Sequence, residues 1–166
     1  MDNMKRVSLL LIVFIGAFTV LSAHDAHVGV MNVELGLQLA EGKDVTIKYR
    51  ALNLGSGQTW EGLKSGQIAR PFPIAEMTTT VDLKVGGNAV AAGTHRLFFV
   101  GGEGGMSLQI GGSREDPGPK VPINVTAAPQ RAEHLIIGAT HGEGATDFVI
   151  FMVYGDSLGG VVFDTN

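Results

Sequence analysis

The stretch Val33-Glu34-Leu35-Gly36-Leu37-Gln38-Leu39 places an apolar residue at every second position. Successive side chains of a β-strand point to opposite faces, so this alternation predicts a strand with one face in a core and the other in solvent. Residues 45–49 and 81–85 show the same alternation. The first half of the chain therefore predicts half-buried β-sheet.

Further candidate strands follow along the chain, and Gly- or Pro-containing turns separate most of them. They are residues 95–100, 106–110, 121–126, 133–139, 148–154 and 161–163. About nine short strands joined by such turns predict an all-β fold, an antiparallel β-sandwich of jelly-roll-like type. This sandwich would follow an N-terminal signal helix.

Two segments depart from the alternation. Residues 148–153, Phe-Val-Ile-Phe-Met-Val, are apolar on both faces, which predicts a central strand. Residues 53–73 are the least regular part of the chain and contain Pro71 and Pro73. We expect this segment to be a long connection that carries a short helical turn.

The N-terminus has the order of a secretory signal. Lys5 and Arg6 precede an apolar stretch, residues 7–21, which ends in the small residues Ser22 and Ala23. The alternative is a retained membrane anchor. A spanning helix needs about 20 apolar residues, whereas the stretch 7–21 has fifteen residues. We expect residues 1–23 to be a cleaved signal peptide and residues 24–166 to be one domain, exported to the periplasm or the extracellular space.

Charge excludes two classes of partner. Cleavage removes Lys5, Arg6 and Asp2 from the 12 basic and 16 acidic residues of the chain, which leaves ten and fifteen and a formal charge of −5. Affinity for nucleic acid or for an anionic membrane rests on clustered Lys and Arg. We therefore expect no nucleic-acid partner and no stable membrane insertion after cleavage. The chain has no Cys, so its core forms without disulfides.

Three parts of the sequence resemble domain-of-unknown-function family 2911, which is found in exported bacterial proteins. They are residues 45–50 with 60–63 and Gly66, residues 81–87 leading into 91–98, and residues 148–156 with 161–163. The resemblance spans residues 33 to 163 and implies a compact β-rich fold. It implies no activity, because the family has none assigned.

The sequence departs from this family in one run. Members typically carry Trp-Arg-x-Gly-Ala-Asn-Glu-Ala-Thr where residues 68–78 stand here. Arg70 is retained, and Glu76 is retained if one residue is inserted. Ala69 replaces the Trp, Phe-Pro-Ile replaces Gly-Ala-Asn, and His95 replaces a Tyr further along. A polar site that this run builds in relatives is therefore altered or absent in this chain.

The cut site creates a candidate metal site. Cleavage after Ala23 would expose His24, whose α-amino group and imidazole together suit Cu(II), and His27 could add a third nitrogen. This arrangement resembles the copper brace of some exported β-sandwich proteins. Cleavage after Ser22 would remove the chelate, and a mobile terminus with two incidental histidines explains the same residues.

Further histidines are weaker candidates for the same metal. His95 alternates with Leu97 and Phe99, which predicts an inward-facing, hydrogen-bonded histidine rather than a ligand. His141 precedes Gly142 and is expected in a turn, while His134 is expected on the solvated face beside Leu135. Copper is therefore a cofactor hypothesis that rests on His24 and His27.

Gly155-Asp156-Ser157-Leu158-Gly159 matches two serine-hydrolase patterns. A nucleophilic Ser needs a base within about 3 Å and an oxyanion hole, usually at a strand-to-helix turn. Only seven residues follow Gly159, and none of them is His. A Gly-Asp-Ser turn between two apolar strands explains the segment by ordinary turn preference.

The irregular connection also offers a ligand site. Trp60, Arg70, Phe72 and Glu76 combine aromatic and charged side chains, and long loops on rigid sandwiches often carry binding function. The sequence thus favours a non-catalytic binding module with an unidentified ligand or protein partner. The alternatives are a copper-binding protein and, remotely, a serine hydrolase.

Overall fold

The computed structural model describes residues 31–53, 58–112, 118–142 and 146–165. These residues form two antiparallel sheets and one short helix, which confirms the all-β sandwich. The predicted signal peptide, residues 1–23, lies outside the described residues. Within them, no helix has the length and apolar character needed to span a bilayer.

Ten strands and one helix are present in the described residues. They are β1 (Asn32–Ala40), β2 (Lys43–Arg50), α1 (Gln58–Lys64), β3 (Phe72–Thr79), β4 (Leu83–Val85), β5 (Asn88–Val90), β6 (Gly93–Gly102), β7 (Gly105–Gly111), β8 (Lys120–Pro122), β9 (Asn124–His141) and β10 (Asp147–Asp164). The larger sheet has the order β1-β2-β3-β6-β7-β8, and the smaller one has the order β5-β4-β10-β9.

The alternation in the sequence matches the burial of the strands. In β2 the side chains of Val45 and Ile47 are fully buried, while Lys48 between Ile47 and Tyr49 is exposed. The inner faces of both sheets supply one core, in which the rings of Phe148 and Phe163 stack with centroids 5.1 Å apart. Burial of these alternate apolar side chains is the main force that holds the sheets together.

β10 reverses direction in its middle. Two residues fifteen positions apart on a straight strand would be separated by about 50 Å, yet Phe148 and Phe163 are in ring contact. The Thr165 N–H also donates to the Thr146 carbonyl at 3.1 Å. Residues 147–154 and 157–164 are therefore the two arms of a hairpin with Gly155-Asp156 at its tip. This confirms the predicted turn between two apolar strands.

β9 passes around this tip. Its residues 136–141 pair with residues 148–153 of the first arm, and its residues 124–127 pair with residues 157–160 of the second arm. β10 lies between β4 and β9 in the sheet, as predicted for a central strand. The resulting layer surrounds the Gly155-Asp156 tip with β9 backbone.

The predicted irregular connection is only partly irregular. It contains α1, which confirms the short helical turn, but β3 begins at Phe72 and runs as an interior strand between β2 and β6. Pro73 is accommodated there because the register of β3 against β6 shifts between Pro73 and Ala75. His141 ends β9 instead of lying in a turn, so that expectation was wrong.

Candidate functional site

A cleft of about 540 Å³ lies where α1 meets the tip of the β10 hairpin and the bend of β9. Its volume is in the range of small-molecule sites in proteins. Its walls are formed by Asn53, Trp60, Glu61, Lys64, Arg131, Ala132, Glu133, Tyr154, Gly155, Asp156 and Ser157. Four separate stretches of the chain thus converge on one concave surface.

Aromatic side chains form the base of this cleft. Trp60 is 3% exposed and contacts Phe99 and Tyr154 edge to face, with ring centroids 5.5 and 5.4 Å apart. The Tyr154 hydroxyl donates to Asn53 Oδ1 at 3.3 Å. Trp60 and Leu63 are buried on one side of α1, because residues three apart share a helix face. Core packing of these side chains holds the helix against β6.

The indole Nε1 of Trp60 is buried and has no hydrogen-bond partner among the described residues. Leaving such a donor unsatisfied costs about 1–3 kcal/mol. Buried polar atoms in native proteins are usually bonded to protein or to ordered water. Trp60 also lines the cleft, so one side chain of the cleft wall carries a hydrogen-bond donor that no described residue satisfies.

Lys64 links the helix to the hairpin. Its Nζ lies 2.8 Å from Glu61 Oε1 and donates to Ser157 Oγ at 3.3 Å. The Ser157 side chain is nearly buried, with the residue 6% exposed. This contact joins the Ser157 hydroxyl to α1, and among the described residues no His side chain lines the cleft beside it.

Charged side chains form the rim. Arg131 Nη1 lies 3.2 Å from Asp156 Oδ2, and both side chains are mostly exposed. Glu133 is exposed on β9, and no ion pair engages it within the described part of the chain. The lining contains two basic and three acidic residues. Its field therefore does not favour an anionic ligand.

The four predicted loop residues do not form one cluster. Trp60 lines the cleft, whereas Phe72 and Glu76 line a separate groove of about 420 Å³ along β3. Glu76 sits between Lys48 and Arg96 in the strand register, as part of an alternating row of charges on the outer face. Arg70 is exposed and lines neither surface.

The histidines are also dispersed. His95 is half-buried in β6, and its Nε2 lies 2.8 Å from the Ala91 carbonyl oxygen. His141 is exposed at the end of β9, and His24 and His27 lie outside the described residues. Over residues 31–53, 58–112, 118–142 and 146–165, no three metal-ligating side chains lie close enough together to hold an ion.

Sequence reasoning did not identify Glu61, Lys64, Arg131 or Glu133 as site residues. The contact between Lys64 and Ser157 joins positions 93 residues apart, and no local pattern indicates such a pairing. One signal was present: Glu61 and Lys64 stand three residues apart, a spacing that favours an ion pair on a helix.

Comparisons of the chain with protein-family models, with curated proteins and with solved structures gave no match. The resemblance to domain-of-unknown-function family 2911 stays a prediction from the residues. The function has to be inferred from the cleft itself.

Proposed function

We propose that this chain is an exported, non-catalytic binding protein whose cleft between α1 and the β10 tip holds a small polar ligand. The single observation that carries this proposal is the cleft itself, with an aromatic base and an ionic rim formed by distant parts of the chain. Such a combination of apolar surface and a few directed polar groups is typical of small-molecule sites.

The ion pairs of the two basic lining residues indicate the class of ligand. Lys64 and Arg131 each have a carboxylate partner already, so neither basic side chain offers an uncompensated charge to an anion. The rim nevertheless offers donors on Arg131 and acceptors on Glu133 and Asp156. A hydroxyl group both donates and accepts hydrogen bonds. We therefore expect an uncharged, hydroxyl-rich ligand of the saccharide type.

Trp60 provides a direct test, because it is the only Trp of the chain and lines the cleft. Its emission should change on titration with at least one of the disaccharides maltose, cellobiose and sucrose. Inorganic phosphate, used as the anionic probe, should leave the emission unchanged. A response to phosphate alone, or no response to any sugar, would contradict the assigned ligand class.

Two variants locate the binding. Arg131→Ala removes a rim donor and Glu133→Ala removes a rim acceptor, and hydrogen bonds to charged groups contribute about 1.5–3 kcal/mol, so the Kd should rise about tenfold or more. Arg70→Ala is the matched control, because Arg70 is exposed and outside the cleft. An equal rise in Kd for Arg70→Ala would show that the ligand binds outside the cleft.

A further inference from the structure

The outer edge of β1 is open. β1 ends the six-stranded sheet and, among the described residues, pairs only with β2. The Ala51 N–H donates to the Met31 carbonyl at 2.9 Å, which fixes the odd-numbered residues as those bonded to β2. The N–H and C=O groups of the even-numbered residues, from Asn32 to Gln38, therefore point away from the sheet.

This edge has few of the features that usually protect edge strands: one charged side chain, Glu34, and one register shift near its end. Native proteins block such edges with Lys, Pro, bulges or very short strands. β1 has nine residues and contains neither Lys nor Pro, and its register shift lies at its end, between Gln38 and Ala40. The edge is thus able to accept another strand along most of its length.

An apolar stripe runs beside the edge. Val33, Leu35, Leu37 and Leu39 are half-buried, whereas Val45 and Ile47 on the neighbouring strand are fully buried. The described core therefore leaves part of this stripe in solvent. A strand added at the edge would cover it with its own side chains of the same face.

We propose that the occupant is β1 of a second copy of this chain, paired antiparallel about a twofold axis at Gly36. This register overlaps the full strand and places Leu35 opposite Leu37 of the other copy. It also places Glu34, the only charged residue of β1, opposite the amide of Gln38. A register centred on Glu34 would instead bring two carboxylates together, which is unfavourable.

The pairing is consistent with the directions of the backbone groups. Gly36 and the residues two positions on either side all point outward, so the paired edges exchange about six hydrogen bonds. The two six-stranded sheets then continue into one. The interface is isologous, since each contact occurs twice.

Cysteine cross-linking tests the axis. The chain has no Cys, and a Cβ at Gly36 meets no atom within 4 Å. Opposite residues of a hydrogen-bonded pair lie about 5.5 Å apart, within reach of a disulfide. Gly36→Cys in the exported chain should form a covalent dimer on mild oxidation, whereas Gly104→Cys, at an open turn position, should not. Equal cross-linking of both variants, or none of Gly36→Cys, would overturn the proposal.

Charge tests the register. In sedimentation experiments on the wild-type chain we expect a reversible monomer–dimer equilibrium. Gln38→Glu should raise the dimer Kd about fivefold, because two pairs of carboxylates then face each other, and Gln38→Lys should lower it. A chain that stays monomeric at millimolar concentration, or a Kd that both variants leave unchanged, would show that β1 does not pair in this way.

Discussion

Gly101 of β6 lies directly against the backbone of α1 and of the residues that follow this helix. A Cβ built on Gly101 would lie 2.7 Å from the carbonyl oxygens of both Leu63 and Ile68, and the Gly101 N–H donates to the latter at 3.1 Å. Neither contact can be relieved by a rotating side chain, because both involve backbone. The absence of a side chain at this position is therefore what allows α1, and with it Trp60 and Lys64, to sit on the sheet.

Gly101→Ala is expected to destabilise the protein by about 1–3 kcal/mol, the usual cost of forcing extra volume into a packed site. It should also weaken ligand binding in the cleft, because α1 would shift. Urea unfolding and the Trp60 emission measure the two effects. Gly104→Ala is the control, since a Cβ there meets nothing within 4 Å. Equal stability of the two variants would show that the backbone at Leu63 and Ile68 can move away from residue 101 without a cost in free energy.

At the scale of single elements, the β10 hairpin organises the smaller sheet. Its first arm carries Phe148 and its second arm carries Phe163, so the hairpin contributes both stacked rings to the core. Its tip supplies Gly155, Asp156 and Ser157 to the cleft. One turn therefore couples core packing to the geometry of the candidate site.

Gly155 has a φ of 55°, in the left-handed region. Gly155→Ala is expected to lower the free energy of unfolding by about 1–2 kcal/mol, because a Cβ disfavours this conformation. Gly155→Asn should lose less, since Asn tolerates the left-handed region. Denaturant unfolding compares the two, and an equal loss would indicate that the side chain at the tip is disfavoured for another reason.

The hairpin and β3 show what the sequence can and cannot predict. Gly155-Asp156 between two apolar runs indicated the turn correctly, because local turn chemistry and alternation agree there. β3 was missed because Pro71 and Pro73 suggested an irregular segment, and the register shift that accommodates Pro73 depends on its neighbour β6. The cleft was missed for a similar reason, since Lys64 and Ser157 meet only through the tertiary fold.

At the scale of the whole molecule, the predicted cut site determines which chemistry the chain would carry after export. If the signal is cleaved after Ala23, His24 becomes the first residue, and its amine and imidazole can chelate one ion. The described residues provide no alternative cluster of three metal ligands. A copper function would therefore depend on the new terminus.

If the chain is exported and its signal is cleaved after Ala23, the first residue of the mature protein, identified by mass, is His24. Cu(II) titration should then give submicromolar binding that His24→Ala abolishes, while His134→Ala, on β9, leaves it intact. Binding that is only micromolar, or that is the same in wild type and His24→Ala, would refute the copper hypothesis. A mature protein that begins at Ala23 would also refute it, because His24 would then not be the first residue.

The position of β10 between β4 and β9 has a consequence for the order in which the protein forms. β10 follows β4, β5 and β9 in the sequence, so the smaller sheet cannot be completed while residues 147–164 are still within a ribosome. Contacts between distant parts of a chain also form slowly, because ordering the intervening loop costs entropy. Until β10 is released, the smaller sheet stays open between β4 and β9.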